Sequence, residues 1–152
     1  MRLVFKMMMV CAILVVAASA GIAAGAKAKV HRVAIQVDQN DPAVMNLALN
    51  NASNIMETYK ARAQEVEIEL VAYGPGLNMF RDDTSPVKDR LKQISALSFP
   101  SRIKFSACNI TKQGMEKREG NPITIVPEAS LVPSGAIRLM ELQEKGWSYL
   151  KP

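Results

Sequence analysis

The sequence predicts an α/β fold: a three-layer, doubly wound domain on a mostly parallel sheet of about five strands. Two observations predict it. From residue 30 onward, short β-branched or apolar runs alternate with segments of helical period. The stretches between runs are long enough to hold a helix, which parallel pairing requires. Strands separated regularly by helices imply βαβ units and a sheet covered on both faces.

The first run, residues 30–37, places Val33, Ile35 and Val37 on one face, and Asp38-Gln39-Asn40-Asp41 breaks it. Asp41 followed by Pro42 is a helix start, a capping carboxylate and then proline at the first helical position. That helix is expected to reach about Arg62, with Val44, Leu47, Ala48, Ile55 and Tyr59 as its apolar stripe. In the second strand, residues 66–73, Val66, Ile68 and Leu70 alternate with Glu67 and Glu69, which predicts a half-exposed early part. Gly74-Pro75-Gly76 ends it, and a short turn or helix is expected over residues 77–80.

Ser85-Pro86 opens a helix carrying Val87, Leu91 and Ile94. Residues 103–107 form a third strand, and Thr111 is expected to cap a short helix ending by Gly120. Residues 123–126 read as a fourth strand. Pro133-Ser134-Gly135 leads into a helix with Ile137, Met140 and Leu142, stopped by Gly146, and residues 147–150 make a last short strand.

Upstream of this domain, Arg2 and Lys6 precede the uncharged residues 7–18, followed by Ala18-Ser19-Ala20 and Ala24-Gly25-Ala26. Basic, then apolar, then small is the order of a secretory signal peptide over residues 1–26, leaving a single domain over residues 27–152. A retained membrane anchor is the alternative, but the Ala/Gly-rich second half is weakly apolar for a span of roughly 20 residues. The expectation is therefore a periplasmic protein with no stable membrane insertion after cleavage.

The domain is large enough for its own core. Without Arg2 and Lys6 the net charge falls from +5 to about +3, too modest to imply nucleic acid. Lys117 and Arg118 are flanked by Glu116 and Glu119, which reads as a locally neutralised helix end. No phosphate-cradling glycine motif occurs, and one His with one Cys cannot make a four-ligand zinc site, so no cofactor or metal is expected. His31, at a strand start, reads as structural, and Met45, Met56, Met79, Met115 and Met140 as core filling.

Cys11 lies in the signal segment, which leaves Cys108 as the one thiol of the domain. It stands where a strand gives way to a helix, where N–H groups and the helix dipole favour a thiolate. An unpaired cysteine in an oxidising compartment is buried and inert, paired between chains, or reactive. Ligands of open parallel sheets bind beyond the carboxyl ends of the strands. The loops expected to meet there contribute Asn40 and Asp41, Gly74 and Gly76, and Asn109, Thr111 and Lys112 beside Cys108. Lys112 would lower the thiol pKa if it folded back. Each has a plainer role as cap, turn residue or packing.

Several of these segments resemble the DsrE/DsrF-like family. They are Asp41-Pro42 with Met45-Asn46-Leu47-Ala48-Leu49-Asn50-Asn51-Ala52; Val71-Ala72-Tyr73-Gly74-Pro75-Gly76; Ala107-Cys108-Asn109-Ile110-Thr111; and Val132-Pro133-Ser134-Gly135 with Leu142-Gln143-Glu144-Lys145-Gly146-Trp147. The resemblance spans about residues 30–152. It implies the same α/β architecture, of flavodoxin- or Rossmann-like type, and homo-oligomers, commonly trimers or hexamers. It also implies sulfur chemistry in which a cysteine carries sulfur as a persulfide between donor and acceptor proteins. Cys108 matches the cysteine of the family's Ala-Cys-x-x-Thr motif, although the sulfur-relay members carry a different motif around theirs.

Two readings follow. In one, Cys108 is a thiol-reactive sulfur carrier. In the other the domain is a non-catalytic, oligomeric module for a small ligand or protein, Cys108 is structural, and Met79, Phe80, Trp147 and Tyr149 belong to subunit contacts.

Overall fold

The computed structural model describes residues 30–99 and 101–152; the expected signal segment, with Cys11 and both cleavage patterns, lies outside them. Five strands make one sheet in the order β4-β3-β2-β1-β5, with every neighbouring pair parallel. The strands are β1 (His31–Val37), β2 (Val66–Ala72), β3 (Arg102–Cys108), β4 (Ala129–Val132) and β5 (Ser148–Leu150). The helices are α1 (Pro42–Ala61), α2 (Lys88–Leu97), α3 (Asn109–Glu119) and α4 (Gly135–Glu144), with a 3-10 helix over Gly74–Phe80.

The first four strands step across the sheet in one direction, and α4 then returns the chain to the opposite edge. The winding separates two cores. Val33, Ile35 and Val37 of β1, with Ile68, Leu70 and Phe105, pack under α1, α2, the 3-10 helix and Met115 of α3. On the other face Ala34 and Val71 meet Leu139 and Leu142 of α4, flanked by Tyr73 and Trp147. The architecture is three-layered, as predicted, but the second face carries much the smaller core.

Several elements depart from the expected detail. In α1 the buried stripe is Met45, Ala48, Leu49, Ala52 and Met56, and Leu47 is 45% exposed. The expected stripe lies next to this one on the helix, and Ala48 belongs to both. Asp41 caps α1 as expected, its Oδ1 accepting from the Ala43 N–H at 2.7 Å. His31 stacks on Tyr59 with ring centroids 4.1 Å apart. In α4 Leu139 and Leu142 are buried while Ile137 and Met140 face solvent, so Met140 is not core. Met79 and Phe80 are fully buried, which rules out their part in subunit contacts.

Residues 123–126 are not the fourth strand. Ile123 and Val126 are buried, but Val126 N–H donates to Phe80 O and Asp82 N–H to Thr124 O, both 2.9 Å. The segment pairs antiparallel with the chain at Arg81 instead of joining the sheet. The true β4 is the less apolar Ala129–Val132 at the sheet edge, where burial demands less of it.

Candidate functional site

The loops that leave β1, β2 and β3 do meet on one rim. Gly76 brings two of them together: a Cβ there would lie 2.3 Å from Val37 O, so only glycine allows this approach to the end of β1. The third joins through Thr111, whose Oγ1 accepts the Gly74 N–H at 3.0 Å. Asn40, Gly74, Asn78, Ile110, Thr111 and Arg118 are among the residues lining an open cleft of about 480 Å³ between the 3-10 helix and α3.

Cys108 closes β3 and is itself the N-cap of α3; its Sγ accepts the Thr111 N–H at 3.5 Å. Thr111 is therefore not the cap, as expected from sequence, but the residue joining sulfur, cleft and β2 loop. Burial, the largest influence, pushes the thiol up. The Thr111 side chain and the N–H groups of Gly135, Thr111 and Ile110 outweigh it and hold the thiol below its ordinary 9.0. Gly135 opens α4 after the Ser134 cap. There α4 comes close to the end of β2: a Cβ on Gly135 would sit 2.8 Å from Tyr73 Cβ.

Lys112 does not fold back to the thiol. Its ammonium pairs with Glu116 at 2.5 Å, an i,i+4 bridge on α3. Asn109 is half-buried in the first turn of α3. Asn40 is exposed on the cleft wall. Glu116 and Glu119 do not serve Lys117 and Arg118: Glu116 binds Lys112 and the Ile123 N–H, and Glu119 clamps the buried Arg81 at 2.6 and 2.8 Å.

Sequence reasoning missed Glu69. Expected on a half-exposed stretch, it is 2% exposed and holds three hydrogen bonds: Arg138 Nε at 2.7 Å, Arg138 Nη2 at 2.6 Å and Ser106 Oγ at 2.6 Å. Burial pushes its carboxyl up, and these donors overcome that and keep it below the usual range. Local pattern gave no signal, because Arg138 lies 69 residues away.

The crevice between β1 and β5, where the winding changes direction and doubly wound folds commonly bind ligands, is occupied by the chain itself. Lys151 pairs with Asp38 at 2.7 Å, and the Tyr149 hydroxyl donates to Gln36 at 2.6 Å. That leaves the end of β3 as the open part of the rim.

No curated protein matches the chain. Among solved structures it is similar to the protein of unknown function MTH1491 from Methanobacterium thermoautotrophicum. The two are 26% identical with a TM-score of 0.66, over 80% of this chain and 99% of that one. The family model of the DsrE/DsrF-like family matches residues 31–152, the whole sheet with all its helices, and the chain belongs to that family.

Proposed function

We propose that the protein is an exported sulfur carrier acting through Cys108. The observation that carries this reading is Cys108 at the N-cap of α3, its Sγ accepting the Thr111 N–H at 3.5 Å, an arrangement that favours the anion. The thiolate attacks the outer sulfur of a donor persulfide, R–S–SH. A Cys108–S–SH bond forms, the donor S–S bond breaks, and the electron pair leaves with the donor as R–S⁻. The exchange needs no net oxidant, and its reverse on an acceptor thiol releases the sulfur. The resolving thiol belongs to the partner, so one cysteine suffices. Asn40, Gly74 and Thr111 line the cleft beside it, Gly76 lets the β2 loop close against the end of β1, Asn109 follows the sulfur in the first turn of α3, and Asp41 serves as a helix cap. Family membership supports sulfur handling of this kind, in a homo-oligomer of three or six chains. The basic–apolar–small order of residues 1–26 supports export to the periplasm.

One observation favours the second reading, a binding module with a structural cysteine: the Cys108 side chain is only 4% exposed. The pH dependence of Cys108 alkylation in the folded protein, followed by mass spectrometry after polysulfide treatment, separates the two. The carrier reading expects fast labelling near neutral pH and mass gains of sulfur that Cys108→Ser abolishes. Labelling only upon unfolding overturns it.

A further inference from the structure

We propose that the cleft between the 3-10 helix and α3 binds the sulfur donor, a small carboxylate-bearing persulfide held by its carboxylate on Arg118. The inference rests on the carrier reading above and names the substrate class of that site.

Arg118 is a cation left over. The carboxylates beside it in sequence are taken, Glu116 by Lys112 and Glu119, through both oxygens, by Arg81. Arg118 has no ion pair among the described residues, and it lines the cleft. Arg81 also lines it, but Asp83 and Glu119 close off its guanidinium. Arg118 is therefore the guanidinium on the lining that is free to take an anion, and its planar fork matches a carboxylate.

Gly114 is an independent sign of an occupant. It lies in the interior of α3, where glycine weakens a helix relative to alanine. A Cβ there would meet nothing within 4 Å, so packing does not require glycine. The residue lines the same cleft, and its missing side chain leaves room for a ligand against the helix backbone.

Spacing relates the cation to the sulfur. Thr111, Gly114, Met115 and Arg118 follow at i, i+3, i+4 and i+7 and share one face of α3. Thr111 and Arg118 are two turns apart, roughly 10 Å along the axis. The Thr111 N–H holds Cys108 Sγ at 3.5 Å, so the cleft runs from the sulfur's neighbour to the free guanidinium. Its volume of about 480 Å³ is that of a small-molecule site. A short peptide-like thiol fits, with its sulfur at the Thr111 end and a carboxylate two turns away. In the exchange already described its outer sulfur bonds to Cys108, and the donor leaves as R–S⁻ with the electron pair of the broken S–S bond.

The test measures binding of S-methylglutathione, a carboxylate-bearing tripeptide thioether that cannot exchange sulfur, to the wild-type full chain by calorimetry. Its diethyl ester and inorganic phosphate are the controls, and Arg118→Gln, Arg118→Lys and Gly114→Ala are compared with folding checked by circular dichroism. The thioether should bind and the ester should not. Arg118→Gln should weaken binding roughly tenfold, as for loss of one charge-assisted hydrogen bond, and Arg118→Lys less. Gly114→Ala should raise the urea midpoint and still weaken binding, opposite signs that a purely structural glycine would not produce. No binding by the wild type, equal binding by either folded Arg118→Gln or Gly114→Ala, or displacement by phosphate at equal concentration overturns the donor site; the carrier reading then stands if polysulfide still loads Cys108. A chain that binds the thioether but never takes sulfur on Cys108 overturns the carrier reading and the donor assignment with it.

Discussion

At the residue scale the chemistry of Cys108 is set by uncharged donors. The Thr111 N–H at the start of α3 does what Lys112 was expected to do, because Lys112 is drawn into its own bridge with Glu116. This has a consequence for stability. The folded thiol titrates below its unfolded value near 9.0, so its contribution appears as pH rises past the folded pKa and is complete above the unfolded one. The stability gap between wild type and Cys108→Ser, measured by urea unfolding, should therefore widen between pH 6 and pH 9.5; a constant gap means that the anion is not favoured. Cys108→Ala is expected to cost ~1 kcal/mol near pH 6, as an ordinary buried substitution does.

At the scale of elements, two glycines decide how closely the site can be assembled. Gly76→Ala drives a Cβ into the β1 carbonyl and has no side-chain movement to relieve it. A loss of about 3 kcal/mol in chemical denaturation is expected, in the range of strained backbone contacts. Gly135→Ala meets the Tyr73 side chain instead. It should shift α4 outward and cost less stability in the same denaturation measurement; a loss equal to that of Gly76→Ala would mean that Tyr73 does not give way.

Glu69 acts between elements, tying β2 to β3 and α4. Its carboxyl titrates below the ordinary 4.5, so its contribution is full above that value and lost as pH falls through the folded pKa. Glu69→Gln leaves Arg138 partly buried without its counter-charge. It should cost ~3 kcal/mol at neutral pH, the low end for a broken buried pair because Arg138 retains some exposure. The deficit should shrink below pH 4, where wild type loses the same interaction; an equal deficit at pH 3 and pH 7 removes the ion pair as its cause.

Over the whole molecule, α4 alone packs into the smaller core, and it also leaves Ile137 and Met140 exposed, while Ile110 is exposed on the neighbouring α3. The trimer or hexamer belongs to the proposed reading and has its own test. Light scattering of the purified protein is expected to give three or six times the mass of one chain. A mass of a single chain, unchanged by concentration, would sink that part of the proposal.

The sequence by itself determined the alternation of strands and helices, the proline-started α1, and the position of Cys108 at a strand-to-helix junction, but not which segment forms β4. These follow from side-chain period and from turn and cap chemistry, which act over a few residues. Only the tertiary structure decided which of two neighbouring stripes of α1 is buried, that residues 123–126 pair with the chain at Arg81, and that Lys151 and Tyr149 fill the crevice beside β1. It also decided that Glu69 is buried and bound by Arg138 of α4. Each of these is a contact between segments far apart in the chain, and no local pattern encodes which partner a buried charge or a sulfur will find.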